Sequence, residues 1–472
     1  MPVNSFENYP MTWKPDKSQL VSPLYLSIAN LLEYDIVNGY LAPNIKLPPQ
    51  RELADYLDIN LSTITRAFKV CELKGLIYAT VGKGTFVAPN SGATIFISDN
   101  EMEKKYINMG IIKPIDQTNS IVADTVKNII SKGYLEKLLD YGQPLGTQYH
   151  KISARKWLKQ YNMDANIENI AITSGAQNSS AIALISLFYS GDKIAVDMYT
   201  YTNFIELANI MNIQLVPIAG DFFGMKPDEL DMQCKLNSIQ GIYLMPSCNN
   251  PTAVMMSMER RREIAKIIKK HNLILIENDN YSFLAPDNYQ PITCFIPEQS
   301  IYIYSISKSL CSGLRVAFMV YPERYAAKII RGIYSTNVKT SALNAEIISE
   351  LISTGIADRI VAEKISIAKE RNEIYKKFFK IENPNENPFS FFRWIPLNQK
   401  FNANQFEKEA LEQGIHIYHS NRFLVGNHEE RQFLRVSLST AANSNELEKG
   451  LSTLKNYLFK LTDKTNNNWL II

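Results

Sequence analysis

Between Pro23 and about Tyr40 the apolar residues Leu24, Ile28, Leu31, Leu32 and Ile36 recur at spacings of three and four and fall on one helical face. Leu47-Pro48-Pro49 breaks that period. A short helix is predicted over about Gln50 to Leu57. Asn60 is placed to cap a third helix that runs to about Lys74, where Gly75 stops it. Two short β-like pieces, Leu76–Thr80 and Thr85–Ala88, flank Gly82-Lys83-Gly84 and read as a hairpin. Helices followed by a hairpin fit a small domain that ends near Pro89.

Beyond residue 110 the pattern changes. Short apolar runs alternate with helical stretches: Ile170–Thr173, Lys193–Val196, Gln214–Pro217, Gly241–Met245, Leu273–Glu277, Ile301–Tyr304 and Val316–Tyr321. Such runs suit strands buried on both faces, so the expected body is α/β with a mostly parallel sheet. Ala342 to Phe379 is strongly helical, and Phe389 to about Phe459 returns to an α+β pattern. The expected division is an N-terminal arm over 1–20, a head over 21–89, a polar linker over 90–108 and a body over 109–472. The body's smaller subdomain is expected from about residue 342.

Composition narrows this further. A chain of 472 residues exceeds one ordinary core, which agrees with several domains. The first ninety residues hold eight basic and eight acidic side chains, so charge neither demands nor excludes nucleic acid. The five cysteines are scattered without a CxxC pair, which argues against a disulfide framework or zinc ribbon. The five histidines have no HExxH spacing, and no metal site is expected. The polar N-terminus lacks the apolar stretch of a signal peptide, and no window suits a membrane helix. A soluble, cytoplasmic protein is the expectation.

In the head, the third helix is long enough to lie in a major groove. Ser62, Thr63 and Thr65 near its start, and Arg66 on its exposed face, can reach phosphates or base edges. Arg51 opens the second helix, where such domains touch the backbone, and Lys83 beside Gly84 tips the hairpin. The plain alternative is a set of solvated surface groups. Leu47-Pro48-Pro49-Gln50-Arg51-Glu52-Leu53-Ala54, Asn60 to Ala67, Gly75-Leu76-Ile77 and Gly82-Lys83-Gly84-Thr85-Phe86-Val87 together resemble the GntR family of winged helix-turn-helix regulators. The resemblance covers residues 23–88 and implies operator DNA as a partner. Leu61 stands where relatives often carry a basic residue.

In the body, Ser305-Ile306-Ser307-Lys308 ends the run Ile301–Tyr304, with Gly313 and Arg315 downstream. A Schiff-base lysine needs such a place, at a strand end within reach of an aldehyde and with a lowered pKa. Ser305, Ser307 and Arg315 can hold a phosphate dianion through hydroxyls and a charge-assisted fork. A lone lysine after a strand is usually a loop residue, so the case rests on its companions. Ser174-Gly175-Ala176-Gln177 follows a strand and opens a helix, where N–H groups bind anions, although an ordinary turn reads the same. Tyr199-Thr200-Tyr201 offers an aromatic, Tyr201, to stack on a pyridine ring, with core packing as the alternative. Asn250 can donate to a phenolic oxygen, as can Tyr281. Within Glu277-Asn278-Asp279-Asn280-Tyr281 a carboxylate would pair with a pyridine nitrogen. Asp279 is taken as that carboxylate, with Asn278 left open. Arg435, inside Phe433–Ser437, suits a substrate carboxylate, because a charge within a strand is costly unless paired.

These motifs, with Gly142, Gly146, Gly175, Gly191-Asp192 and Asn250-Pro251, resemble fold-type I aminotransferases over about residues 107–460. A GntR-like head on such a body looks like the MocR group of regulators. The resemblance implies pyridoxal 5′-phosphate on Lys308, Arg315 and Ser305 at its phosphate, Arg435 at a carboxylate, and a head-to-tail homodimer. Relatives often carry two adjacent acids where this chain has Asn278-Asp279. Tyr199 replaces a common proline, Ala253 a common glycine, and His150-Lys151 a usual Leu-Arg. Two functions follow: a transcriptional regulator that senses pyridoxal phosphate or an amino compound, or a working aminotransferase with an appended head. A body kept only for dimerisation is disfavoured, since it would not need Lys308, Arg315, Ser305 and Arg435 together.

Overall fold

A computed structural model describes residues 10–463, apart from 38, 43–44, 75, 81–82, 89–105, 382, 399–400 and 427–430. The chain divides into two units, Met1–Glu101 and Met102–Ile472. The expected linker, 90–108, lies outside the described residues except at its end, and so do Gly75, Gly82 and Pro89.

The first unit contains α1 (Leu24–Val37), α2 (Gln50–Leu57) and α3 (Leu61–Leu73), then a hairpin of β1 (Ile77–Thr80) and β2 (Gly84–Val87). Ile28, Leu32, Ile36, Leu53, Leu57, Ile64 and Phe68 form one core, as the periodicity predicts. The Asn60 side chain accepts from the Ser62 N–H and starts α3. Ile77 pairs with Val87 across the antiparallel hairpin. The arm is the difference. Trp13 is 4% exposed within this core, and its indole donates to Asp35 at 2.7 Å. A single aromatic in a polar stretch leaves no periodic signal, so residues 10–20 read as loose although their Trp13 anchors them.

The second unit opens with β3 (Ile107–Asn108). Its main sheet comprises β4 (Ile170–Thr173), β5 (Lys193–Asp197), β6 (Gln214–Ile218), β7 (Ile239–Leu244), β8 (Ile274–Asp279), β9 (Ser300–Ser305) and β10 (Ala317–Val320). The strand order is β4-β10-β9-β8-β7-β5-β6. All neighbours are parallel except β10, which runs antiparallel to β9 and β4. Strand alternation sorts side chains between two covered faces. Val196, Tyr243, Ile276, Ile301 and Ile303 pack with α4 (Ala176–Leu187) and α5 (Thr202–Ile210). On the opposite face, Ala195, Leu244 and Leu275 pack with Ile264 and Ile268.

A three-stranded antiparallel sheet carries Arg435. It is formed by β11 (Phe392–Pro396), β13 (Tyr418–His419) and β14 (Phe433–Ser437), in the order β11-β14-β13. Before it in the chain come α6 (Ala342–Ser353) and α7 (Ile356–Lys376), and β12 (Ile415–His416) pairs in parallel with β3. The smaller subdomain does not begin near 342. Ile347, Leu351 and Ile360 belong to the large core with Trp157, Ile172 and Tyr304. The smaller core starts with Ile374 and Tyr375 and takes in Met109 from the far end of the unit. A helical run alone does not reveal which core it covers.

A buried ion pair braces this region. Arg393 is 0% exposed and donates to Glu386 at 2.8 Å, while Asn372 and the Pro388 carbonyl accept its remaining donors. Glu386→Ala leaves that guanidinium charged and short of its counter-ion. The unfolding free energy of the second unit should fall by about 3–5 kcal/mol, read by denaturant titration.

Candidate cofactor and DNA-binding sites

Ser305 closes β9, and its hydroxyl accepts from the Ser307 N–H at 3.3 Å, turning the chain so that Lys308 follows directly. The Lys308 amine donates to the Ile112 carbonyl at 2.5 Å. Burial, then the positive charges of Arg435, Lys364 and Arg315, push its pKa down to about 7. Lys364, on α7, is 0% exposed and donates to the carbonyls of Leu310 at 2.6 Å and Lys308 at 3.3 Å. It fixes the backbone that carries Lys308. Nothing in the sequence marked it, because its role depends on where α7 packs.

Gly175 caps α4 with φ +91°. A Cβ there would lie 2.7 Å from Arg315 Nη2, so glycine is required for the guanidinium to lie against the turn. Arg315 Nη1 also donates to Ser307 Oγ at 3.2 Å. The first N–H groups of α4, beginning at Ala176, therefore converge with Arg315 and Ser307 on one anion cradle. Ser174 and Gln177 play a different part from the expected direct contact. The Ser174 hydroxyl accepts from Asn337 at 2.6 Å, and its N–H donates to Asn178 at 3.1 Å. Gln177 donates to the Asn203 carbonyl at 3.0 Å. Their side chains hold the turn in shape.

Tyr201 precedes α5, and the charges of Arg435 and Arg315 act on its hydroxyl, although burial dominates and raises its pKa. Its neighbour Tyr199 is a packing residue, with ring centroids 5.3 Å from Trp394 and 5.8 Å from Phe433. Arg435, 5% exposed on β14, donates to Asn250 Oδ1 at 2.8 Å and to the Gly110 carbonyl at 2.6 Å. Its guanidinium lies 4.5 Å from the Phe423 ring, and burial pushes its pKa down to about 10. Its Nε is buried without a hydrogen-bond partner, a donor left for an incoming acceptor. Tyr281 is buried nearby, its hydroxyl pKa raised well up by burial and drawn back by Arg435.

Asp279 does not stand where the sequence reading put it. Its carboxylate accepts from Ser247 at 2.6 Å, Tyr302 at 2.8 Å and the Ser282 N–H at 3.0 Å. Strand alternation sends it, like Glu277, away from α4, whereas Asn278 lies on the α4 face and donates to Tyr243 at 2.7 Å. A one-residue choice in a strand reverses the face, and the linear motif does not settle that choice.

In the first unit, Arg51 is exposed at the start of α2, and Lys83 is exposed beside Gly84 (φ +113°). Ser62 bonds its own cap, Asn60, at 2.9 Å, Thr63 is half-buried, and Thr65 donates to Gln50 at 2.8 Å. Arg66 is exposed, with its guanidinium 3.9 Å from the Tyr25 ring centre. A groove of about 760 Å³ between α3 and the hairpin is lined by Gln50, Ser62, Thr65, Arg66, Lys69 and Thr85. Gln50 and Lys69 were missed from sequence. Gln50 reads only as the first residue after two prolines, and its bond to Thr65 is tertiary.

Residues 104–454 match the family of aminotransferase class I and II, and residues 24–87 match bacterial regulatory proteins of the gntR family. The uncharacterized HTH-type transcriptional regulator YdeF of Bacillus subtilis is 38% identical over 98% of this chain and 100% of its own length. The vitamin B6 salvage pathway transcriptional repressor PtsJ of Salmonella typhimurium is 24% identical over 64% of this chain and 68% of its own. Among solved structures, kynurenine aminotransferase of Pyrococcus horikoshii superposes with a TM-score of 0.69 at 21% identity, over 76% of this chain and 93% of that one. LysN, the α-aminoadipate aminotransferase of Thermus thermophilus, gives 0.68 at 20% identity, over 76% of this chain and 94% of its own. These two likenesses establish the fold-type I architecture of the second unit. The chain belongs to the HTH-type transcriptional regulators that join a GntR winged helix to an aminotransferase class I and II body, the fusion its motifs resemble.

Proposed function

We propose that this regulator acts in the cytoplasm as a homodimer, binds operator DNA through its GntR-like head and responds to pyridoxal 5′-phosphate held on Lys308. The observation that carries the reading is the pairing of a lysine amine at a pKa of about 7 with the cradle of Gly175, Ser307 and Arg315. Arg315, Ser307 and the N–H groups opening α4 would take the phosphate, and Tyr201 would stack on the ring. Asn250 and Tyr281 would address the phenolic oxygen. When bound, the cofactor supplies an aldehyde that captures amines and a ring that withdraws electrons. Arg435, with its open Nε, would orient the carboxylate of an amino-compound effector.

A route to regulation lies in two backbone carbonyls. Gly110 accepts from Arg435 and Ile112 from Lys308, so ligands at either side chain compete with this segment. The segment follows β3 near the start of the second unit. A ligand that favours one arrangement of the segment shifts the population of the whole, and DNA must shift ligand affinity by the same factor. The Salmonella relative is a repressor of vitamin B6 salvage, which supports pyridoxal phosphate as the signal.

The exposed cations Arg51, Arg66 and Lys83 would contact phosphates or base edges. Titration of DNA from upstream of the protein's own gene, at fixed salt, tests the head. Selective binding over scrambled DNA is expected, and Arg66→Ala should weaken it by about 1–3 kcal/mol if Arg66 reads a base. Equal, weak binding to both DNAs would move the function to the aminotransferase reading.

A further inference from the structure

Three carboxylates stand near the carboxyl ends of the central strands, and all three turn away from the cradle. Glu277 accepts from the N–H groups of Ile292 and Thr293 and from the Thr293 hydroxyl. Asp279 is held by Ser247, Tyr302 and Ser282. Asp197 accepts from Asn249 at 2.9 Å and alternates to the same side as Ala195. On the opposite side, where Gly175 caps α4, β8 presents Asn278. The Asn278 amide donates to the Tyr243 hydroxyl at 2.7 Å, and that ring is stacked 3.6 Å from Phe204. Its Oδ1 is buried without any partner. A buried polar atom left open costs free energy, and because the Tyr243 hydroxyl can donate as well as accept, the amide can turn either end toward a ligand.

Resting on the reading that pyridoxal phosphate binds here, we propose that Asn278 is the partner of the cofactor's ring nitrogen and offers it a neutral amide in place of a carboxylate. A carboxylate stabilises a positive ring nitrogen through full charge, whereas a neutral amide, turned so that its oxygen accepts from the Tyr243 hydroxyl, offers an N–H to a ring nitrogen that holds no proton. The neighbouring groups add little compensating negative charge. Burial keeps the Tyr243 and Tyr201 hydroxyls neutral, raises Asp197 to about 7, and raises Glu206, the only acid on α5. A ring paired with Asn278 would therefore withdraw electrons weakly. Such a site would still take up the cofactor on Lys308, but proton removal from an amine captured there would be slow. The body is built for occupancy by its ligands more than for turnover, which is the behaviour a sensor needs.

The test is direct. Pyridoxal phosphate labelled with ¹⁵N in the ring is loaded onto the full chain, and the ¹⁵N shift is followed against pH. The wild type should show an unprotonated ring nitrogen at neutral pH. Asn278→Asp should move its protonation up by about 1–3 pH units and raise the half-reaction rate with an amino acid by about tenfold or more. Asp279→Asn, which alters the face away from the ring, should leave the ¹⁵N titration where it was. A protonated ring nitrogen in the wild type, or a titration that moves with Asp279→Asn and not with Asn278→Asp, would overturn the assignment. A chain that retains no cofactor through gel filtration fails earlier, at the cofactor reading, and takes this inference with it.

Discussion

Lys308→Ala should yield a folded protein from which pyridoxal phosphate washes away on gel filtration. Borohydride should fix no cofactor to it, where the wild type is labelled stoichiometrically. In the proposed reading the amine bonds the aldehyde covalently, while Arg315, Ser307 and the start of α4 would supply reversible contacts. The variant should still unfold cooperatively. The wild-type Lys308 amine meets one backbone carbonyl, and the packing of β9 and α7 does not depend on it. Ligand effects on DNA should vanish with the label, and DNA affinity should stay near that of the ligand-free wild type. Peptide mapping of the reduced wild type should find the adduct on the peptide bearing Lys308. An adduct on another lysine would contradict the assignment.

Capture of pyridoxal phosphate by the ligand-free protein should rise with pH through about 7 and then level off. The sign follows from the surroundings. Burial and the positive charges of Arg435, Lys364 and Arg315 disfavour the ammonium, so the reactive neutral amine is populated at lower pH than in a free lysine. At pH 7 about half the amines are neutral, against about one in 2,500 for an ordinary lysine, an advantage on the order of a thousandfold. Stopped-flow absorbance across pH 5.5 to about 10 reads this directly. A rate still climbing toward the ordinary lysine value of about 10.4 would mean the charges do not act as the geometry implies.

Most of this architecture was legible in the chain because its signals are local. Apolar spacing gave α1 to α3, Asn60 gave the cap, and seven buried runs gave the seven strands of the main sheet, with ends shifted by a residue or two. The turn that sets Arg315 beside Ser307, next to Lys308, was legible because strand, hydroxyls, lysine and arginine are close in sequence. What escaped depends on tertiary placement. Asp279 and Asn278 are adjacent, and only the register of β8 between β7 and β9 decides which one faces α4. Trp13 needed the folded head to show its burial, and Lys364 needed α7 to pass beneath the lysine turn. The carbonyls of Gly110 and Ile112 have no side-chain signature at all. The start of the smaller subdomain was misplaced because α6 is amphipathic toward the large core, a direction the sequence does not record.

The central claim is that occupancy of Lys308 changes how the head meets DNA. The most direct measurement is the affinity of the full-length protein for DNA upstream of its own gene, at one salt concentration, without and with saturating pyridoxal phosphate, with Lys308→Ala in parallel. The account predicts a ligand-dependent change of about 5- to 150-fold in the wild type, the usual span of allosteric coupling, and none in the variant. Identical affinities in all four titrations, with the cofactor demonstrably bound to the wild type, would contradict it.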